Sequence, residues 1–244
     1  MIRLRTIIFI MVFGISCSAV AQFKATIYTD AGESNVSEGF YLNTAILGSY
    51  QYDKYSFVAG SVLDLIGPEN NVVLTDFMFM PGRTFIIGNF PFELQGVCMF
   101  NQSFDWVHEM NLGVLMNIER SHFTWKLGTE FRTYYLTSEA CEMSDGEATK
   151  ALHENWNIMY YGDFRVKPRG NTWNVSLALT NLDYFLINQE TNPMFFLMGK
   201  YDVSSNLRIF SEAWYKSAGA FNISVNYFGF FIRTGLIWQS NIEK

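Results

Sequence analysis

The segment His108–Glu119 sorts onto two faces. His108, Met110, Leu112, Val114, Met116 and Ile118 share one parity, and Glu109, Asn111, Gly113, Leu115, Asn117 and Glu119 share the other. Side chains on a strand alternate across the sheet, so this is a ribbon with one apolar and one mostly polar side. At about 3.3 Å per residue it is about 40 Å long. A strand in a soluble protein usually has about five or six residues, whereas a tilted strand crossing an outer membrane has about nine to eleven. Length and alternation together point to strands built to cross a bilayer.

Inside lipid only helices and closed barrels satisfy every backbone group. After residue 22 no apolar run is long enough for a spanning helix. The chain therefore reads as all-β: a closed antiparallel up-and-down transmembrane β-barrel of about twelve strands, with ten and fourteen as the neighbouring even counts. The aromatic share of 17 % suits strands and interfacial girdles.

The N-terminus carries a second address. Arg3 and Arg5 precede an apolar stretch, Thr6–Ile15, and Ala19-Val20-Ala21 forms a small-x-small cleavage site. Residues 1–21 read as a signal peptide and residues 22–244 as one barrel domain, scarce in proline and without a linker. Gly14-Ile15-Ser16-Cys17 is a rival, lipoprotein-like cleavage site with a poor residue at Gly14. The net charge of −6 becomes −8 once the two leader arginines are removed (−6 − 2), and an acidic chain without basic clusters argues against nucleic acid as a partner.

The alternation places strands near Phe23–Asp30, Glu38–Tyr52, Tyr55–Ile66, Val72–Met80, Thr84–Asn101, Asp105–Glu119, His122–Thr137, Glu154–Lys167, Asn171–Leu186, Pro193–Val203, Asn206–Lys216 and Ala220–Gln239. Tight connections fall at Asp53-Lys54, Pro81-Gly82, Arg120-Ser121, Arg169-Gly170 and Ser204-Ser205, with Pro-Gly read as turn punctuation. Longer links, Ala31–Ser37, Gly67–Asn71, Thr137–His153 and Asn188–Asn192, nearly alternate with them; Gln102–Phe104 and Ser217–Gly219 are short where the rhythm asks for long. Outer-membrane barrels pair short periplasmic turns with longer external loops, so both termini are expected on the periplasmic side. In the last strand the apolar parity flips near Phe228-Gly229, which a β-bulge at Gly229 or an extra hairpin would explain.

The polar parity gathers charges of both signs at mid-strand: Lys126, Glu130, Arg132, Asp163, Arg165, Lys200, Asp202, Arg208, Glu212 and Arg233. In a membrane barrel these line the lumen and can pair across the sheet. In a soluble, lipocalin-like periplasmic barrel the same residues would face water and the apolar parity a core.

By leader, strand length, parity and turn rhythm, the whole mature chain resembles small outer-membrane β-barrel proteins of Gram-negative bacteria, with a porin-like or nucleoside-channel-like architecture. The resemblance implies outer-membrane lipid and the barrel-assembly machinery as partners. That machinery reads a terminal aromatic residue; Trp238 fits, although Gln239–Lys244 follow it. A twelve-strand count is shared with nucleoside channels, acidic-sugar porins and outer-membrane phospholipases.

No catalytic set accompanies this pattern. His108, His122 and His153 each lack a serine two residues on, the spacing of the phospholipase and deacylase barrels. Cys98 shares the apolar parity of Leu94 and Phe100, and Cys141 lies in the longest loop, without the spacing of a metal site. Glu142, Asp145 and Glu147 lack the spacing of a calcium loop. The sequence thus gives no enzyme, metal or cofactor reading. It supports a narrow channel for small polar solutes, anions favoured by its lysines and arginines, or a non-transporting barrel using Thr137–His153 as a contact loop. If the leader is cut after Ala21, mass spectrometry of the protein recovered from outer membranes will give Gln22 as the first residue; a lipid-modified Cys17 would contradict this.

Overall fold

The computed structural model describes residues 21–34, 39–66, 73–103, 107–143, 153–166, 172–182, 193–216 and 230–240. Among them are β1 (Gln22–Ser34), β2 (Gly39–Tyr52), β3 (Tyr55–Ile66), β4 (Val73–Ile87), β5 (Phe90–Ser103) and β6 (Val107–Glu119). Then follow β7 (Phe123–Leu136), the short helix α1 (Ser138–Met143), β8 (His153–Val166), β9 (Trp173–Thr180), β10 (Met194–Asp202), β11 (Leu207–Lys216) and β12 (Phe230–Gln239). The described strands form one closed ring in which each pairs antiparallel with its neighbours in sequence and β12 returns to β1. That seam runs from Lys24↔Gln239 to Gly32↔Phe231. Closure removes the two open edges that lipid would leave without hydrogen bonds.

The outward face decides the solvent. Phe123, Trp125, Leu112 and Leu177 point away from the barrel, with relative exposures of 38, 59, 44 and 61 %. Ile27, Phe77, Phe164, Leu197, Ile232 and Leu236 continue the apolar belt around the ring. A soluble protein rarely exposes a contiguous apolar patch beyond a few hundred Å², so the belt faces hydrocarbon and the lipocalin-like alternative falls. One row departs from it. Gly199, Ser211, Thr234, Thr29 and Thr44 lie in register across β10, β11, β12, β1 and β2. Their hydroxyls pair sideways, Ser211 with Thr234 and Thr29 with Thr44, each at 3.2 Å, which offsets the cost of placing them against lipid.

The turns at one end are tight. Asp53 adopts φ 51°, a left-handed conformation that Asp tolerates. The expected turn at Pro81-Gly82 is corrected: β4 runs straight through it and turns at Gly88, where φ is 61°. Pro81 faces outward within the strand, and the β4–β5 ladder skips from Phe79↔Cys98 to Gly82↔Gln95 because proline has no N–H to contribute. Gly82 is there for space: a Cβ would fall on Ser56 Oγ and the Glu93 carboxylate, which are hydrogen-bonded to each other.

A second correction concerns β9, expected to reach Leu186. It ends at Thr180, where the Asn181 side chain takes over the ladder, donating to Ile158 O at 2.6 Å and accepting from Tyr160 N at 2.7 Å. Leu182 then turns into the barrel interior. The expectations for residues 1–20, the parity flip at Gly229 and the acidic residues Asp145 and Glu147 lie outside the described residues. A lysine on the lipid side at mid-strand, Leu177→Lys, will cost about 2–4 kcal/mol in urea unfolding from lipid vesicles, with the folded fraction read as heat-modifiable gel migration; the same change at Gln51, which faces water in the lumen, will cost less.

Candidate functional site: the barrel lumen

Alternation on every strand delivers the opposite parity to the interior, so the lumen is built from residues 2 apart on twelve strands rather than from any local motif. Two layers result. At the tight-turn end a water-accessible chamber of about 550 Å³ opens between Lys24, Glu93, Glu119, Lys126, Arg165 and Lys200. Below it the lumen is filled by Met78, Met80, Met99, Leu115, Met159 and Leu182, packed with Tyr28 and Phe210. Met78, Met99 and Leu115 are wholly buried. A second inner cluster, Met194, Phe196, Met198, Trp214 and Phe231, joins on the β10–β12 side, with the Phe196 and Trp214 rings stacked at 4.1 Å.

Ion pairs are set into this filling. Arg233 donates from Nε and Nη2 to the two Asp30 oxygens at 2.6 and 2.9 Å. Its Nη1 lies 3.8 Å from Glu212, which also accepts from Trp214 Nε1 at 2.7 Å. The guanidinium covers the Tyr28 ring at 4.2 Å, a cation–π contact strengthened by exclusion from water. Opposite, Arg132 Nη2 meets Glu109 at 2.8 Å, and Asn111 donates to the other Glu109 oxygen at 2.7 Å. Glu130 is wholly buried and accepts from Asn157 at 3.4 Å. Glu130 Oε2 and Arg132 Nε have no hydrogen-bond partner among the described residues.

Nearer the turns, Arg165 bridges Asp163 and Glu119, each at 3.1 Å, and donates to Thr124. Asp163 also accepts from Tyr161 OH at 2.8 Å and from Thr124 N at 3.0 Å. Arg208 pairs with Asp202. Lys126 Nζ lies 5.3 Å from the Tyr161 ring centre. All ten residues expected in the lumen share the inward parity of their strands, but they do not form one ring: Glu130 and Arg132 are buried away from the chamber, Glu212 and Arg233 are buried at its wall, and Lys126, Asp163, Arg165 and Lys200 line it.

His108 faces outward, its ring 5.0 Å from Tyr135, and His122 lies in an exposed turn near Arg165 O at 3.4 Å. Cys98 and Cys141 are not joined to each other by a disulfide.

No protein-family model matches the chain, and no curated sequence matches it. Solved structures do. The NanC porin superposes with a TM-score of 0.52 at 9 % identity, over 90 % of this chain and 100 % of that one. The translocator domain of the autotransporter NalP from Neisseria meningitidis gives 0.46 at 9 % identity over 96 and 93 %. The Acinetobacter baumannii outer membrane protein Omp33 gives 0.46 at 6 % over 91 and 100 %. The chain has the fold of outer-membrane β-barrel proteins. At these identities the likeness speaks to fold alone.

Several lumen residues of this outer-membrane-type barrel escape a reading of charged mid-strand positions. Lys24, Tyr28 and Asp30 of β1 point inward, yet β1 alternates with small Ala25 and Ala31 and polar Thr29, which blurs the parity. Glu109 and Glu119 stand on the polar face of β6, but only the register with β7 brings Glu109 to Arg132, and only a link across to β8 brings Glu119 to Arg165. Arg233→Met will leave Asp30 and Glu212 buried without their cation and cost about 3–5 kcal/mol in urea unfolding from vesicles. The rim change Arg208→Met, at a more exposed pair, will cost about 1 kcal/mol or less.

Proposed function

We propose that the protein resides in the outer membrane of a Gram-negative cell, with its tight turns and both chain ends on the periplasmic side, and serves as a narrow, gated channel for small polar solutes, anions preferred. It is proposed to act without a cofactor and without catalysis. The observation that carries this reading is the inward parity itself: charges of both signs line a closed lumen whose outside is lipid-facing. Charged side chains that line a passage set its ion preference.

In the conformation described, the methionine and leucine layer closes the passage, so conduction requires that layer to move. Its polar members favour movement. A buried Glu130 oxygen and Arg132 Nε without partners are costly when dry and would gain hydrogen bonds on hydration. Methionine side chains are flexible and repack at low cost.

A second reading, a non-transporting membrane scaffold, draws on the same layer, since a barrel filled by side chains needs no passage. Planar-bilayer recording separates the two. On the channel reading the wild type gives rare, brief steps. Met99→Ser combined with Met159→Ser raises open time severalfold, and Arg132→Ala in that background shifts selectivity toward cations. A barrel silent with and without the layer substitutions supports the scaffold.

A further inference from the structure

We propose that the turn-side chamber is a binding site for small carboxylates bearing an apolar body, aromatic monocarboxylates being the class that fits. The chamber has the size of a small-molecule site, about 550 Å³. Its acids are already engaged: Asp163 and Glu119 by Arg165, Glu212 by Trp214 and Arg233, and Glu93 by Ser56 and Asn117. Two of its lysines are not matched in the same way. Lys24 and Lys200, on β1 and β10, make no ion pair among the described residues. Lys24, Lys126 and Lys200 line the same space.

A carboxylate placed between the Lys24 and Lys200 ammonium groups accepts charge-assisted hydrogen bonds from both. The chamber wall also has an apolar portion, formed by Leu47, Val58, Phe196, Met198 and Phe210. A bare anion leaves that portion wet, and a neutral apolar molecule leaves Lys24 and Lys200 without an anion. A flat apolar ring carrying one carboxylate satisfies both. The concentration of lysines is local, because the chain as a whole carries a net charge of −6.

The site requires the barrel but not passage through it, so its failure and the channel's are separable: equilibrium binding reads one and conductance the other. The test uses the full chain, folded in nanodiscs of zwitterionic lipid, with para-fluorobenzoate followed by fluorine NMR. Saturable binding is expected, competed by benzoate and much less by acetate or benzyl alcohol at equal concentration. Lys24→Gln and Lys200→Gln should each weaken it about tenfold, the scale of one charge-assisted contact, while Lys24→Arg retains it. Heat-modifiable migration reports whether each variant is folded; the probe comparison on the wild type needs no variant. Acetate competing as well as benzoate, benzyl alcohol competing as well as benzoate, or both folded glutamine variants binding like the wild type would each overturn the proposal.

Discussion

The seam between β1 and β12 is the constraint on which the rest of the structure depends. In hydrocarbon an unpaired N–H or C=O has no water to turn to, so a sheet with two free edges cannot persist there. Pairing from Lys24↔Gln239 to Gly32↔Phe231 converts a twelve-strand sheet into a ring without edges. Everything else follows from closure: a ring has an inside and an outside, and alternation assigns every second side chain to each.

The two sides then meet opposite requirements. Outside, Trp125, Ile158 and Leu177 contact lipid, and the few hydroxyls present, such as Ser211 and Thr234, bond to each other. Inside, twelve strands enclose more space than polar side chains alone occupy here. Methionines fill the middle because an unbranched, flexible side chain fits an irregular gap between charged neighbours. The arginines hold their carboxylates within that filling. A buried pair of this kind is a weak source of net stability, yet removing one partner leaves an uncompensated charge. The Asp30–Arg233–Glu212 group therefore fixes the arrangement of β1, β11 and β12 more than it strengthens it.

The boundaries show where linear reading works and where it fails. The turn at Asp53-Lys54 and the face assignments of β6, β7 and β8 were legible, since alternation there runs unbroken for many residues. Pro81-Gly82 misled because its chemistry suits a turn equally well. What decided otherwise was long-range: β3 and β5 both continue past it, Phe57 lying opposite Pro81 and Gln95 opposite Gly82. The end of β9 was hidden for a similar reason. Asn181 bonds the β8 backbone from its side chain, and nothing in its local sequence distinguishes that from one more strand residue.

Alternation and length by themselves determined that this chain forms long membrane-crossing strands, that they close, and, on the strands where the alternation runs unbroken, which residues look inward, because a period of two is a property of the extended backbone. Only the tertiary structure decided which inward residues meet. Arg132 finds Glu109, Arg165 finds both Asp163 and Glu119, and Arg233 finds Asp30 from the far end of the chain. Those pairings depend on strand register and on closure, and so does the division of the lumen into a filled middle and an open, lysine-lined chamber, since depth along the barrel axis is a relation among strands that no single strand contains.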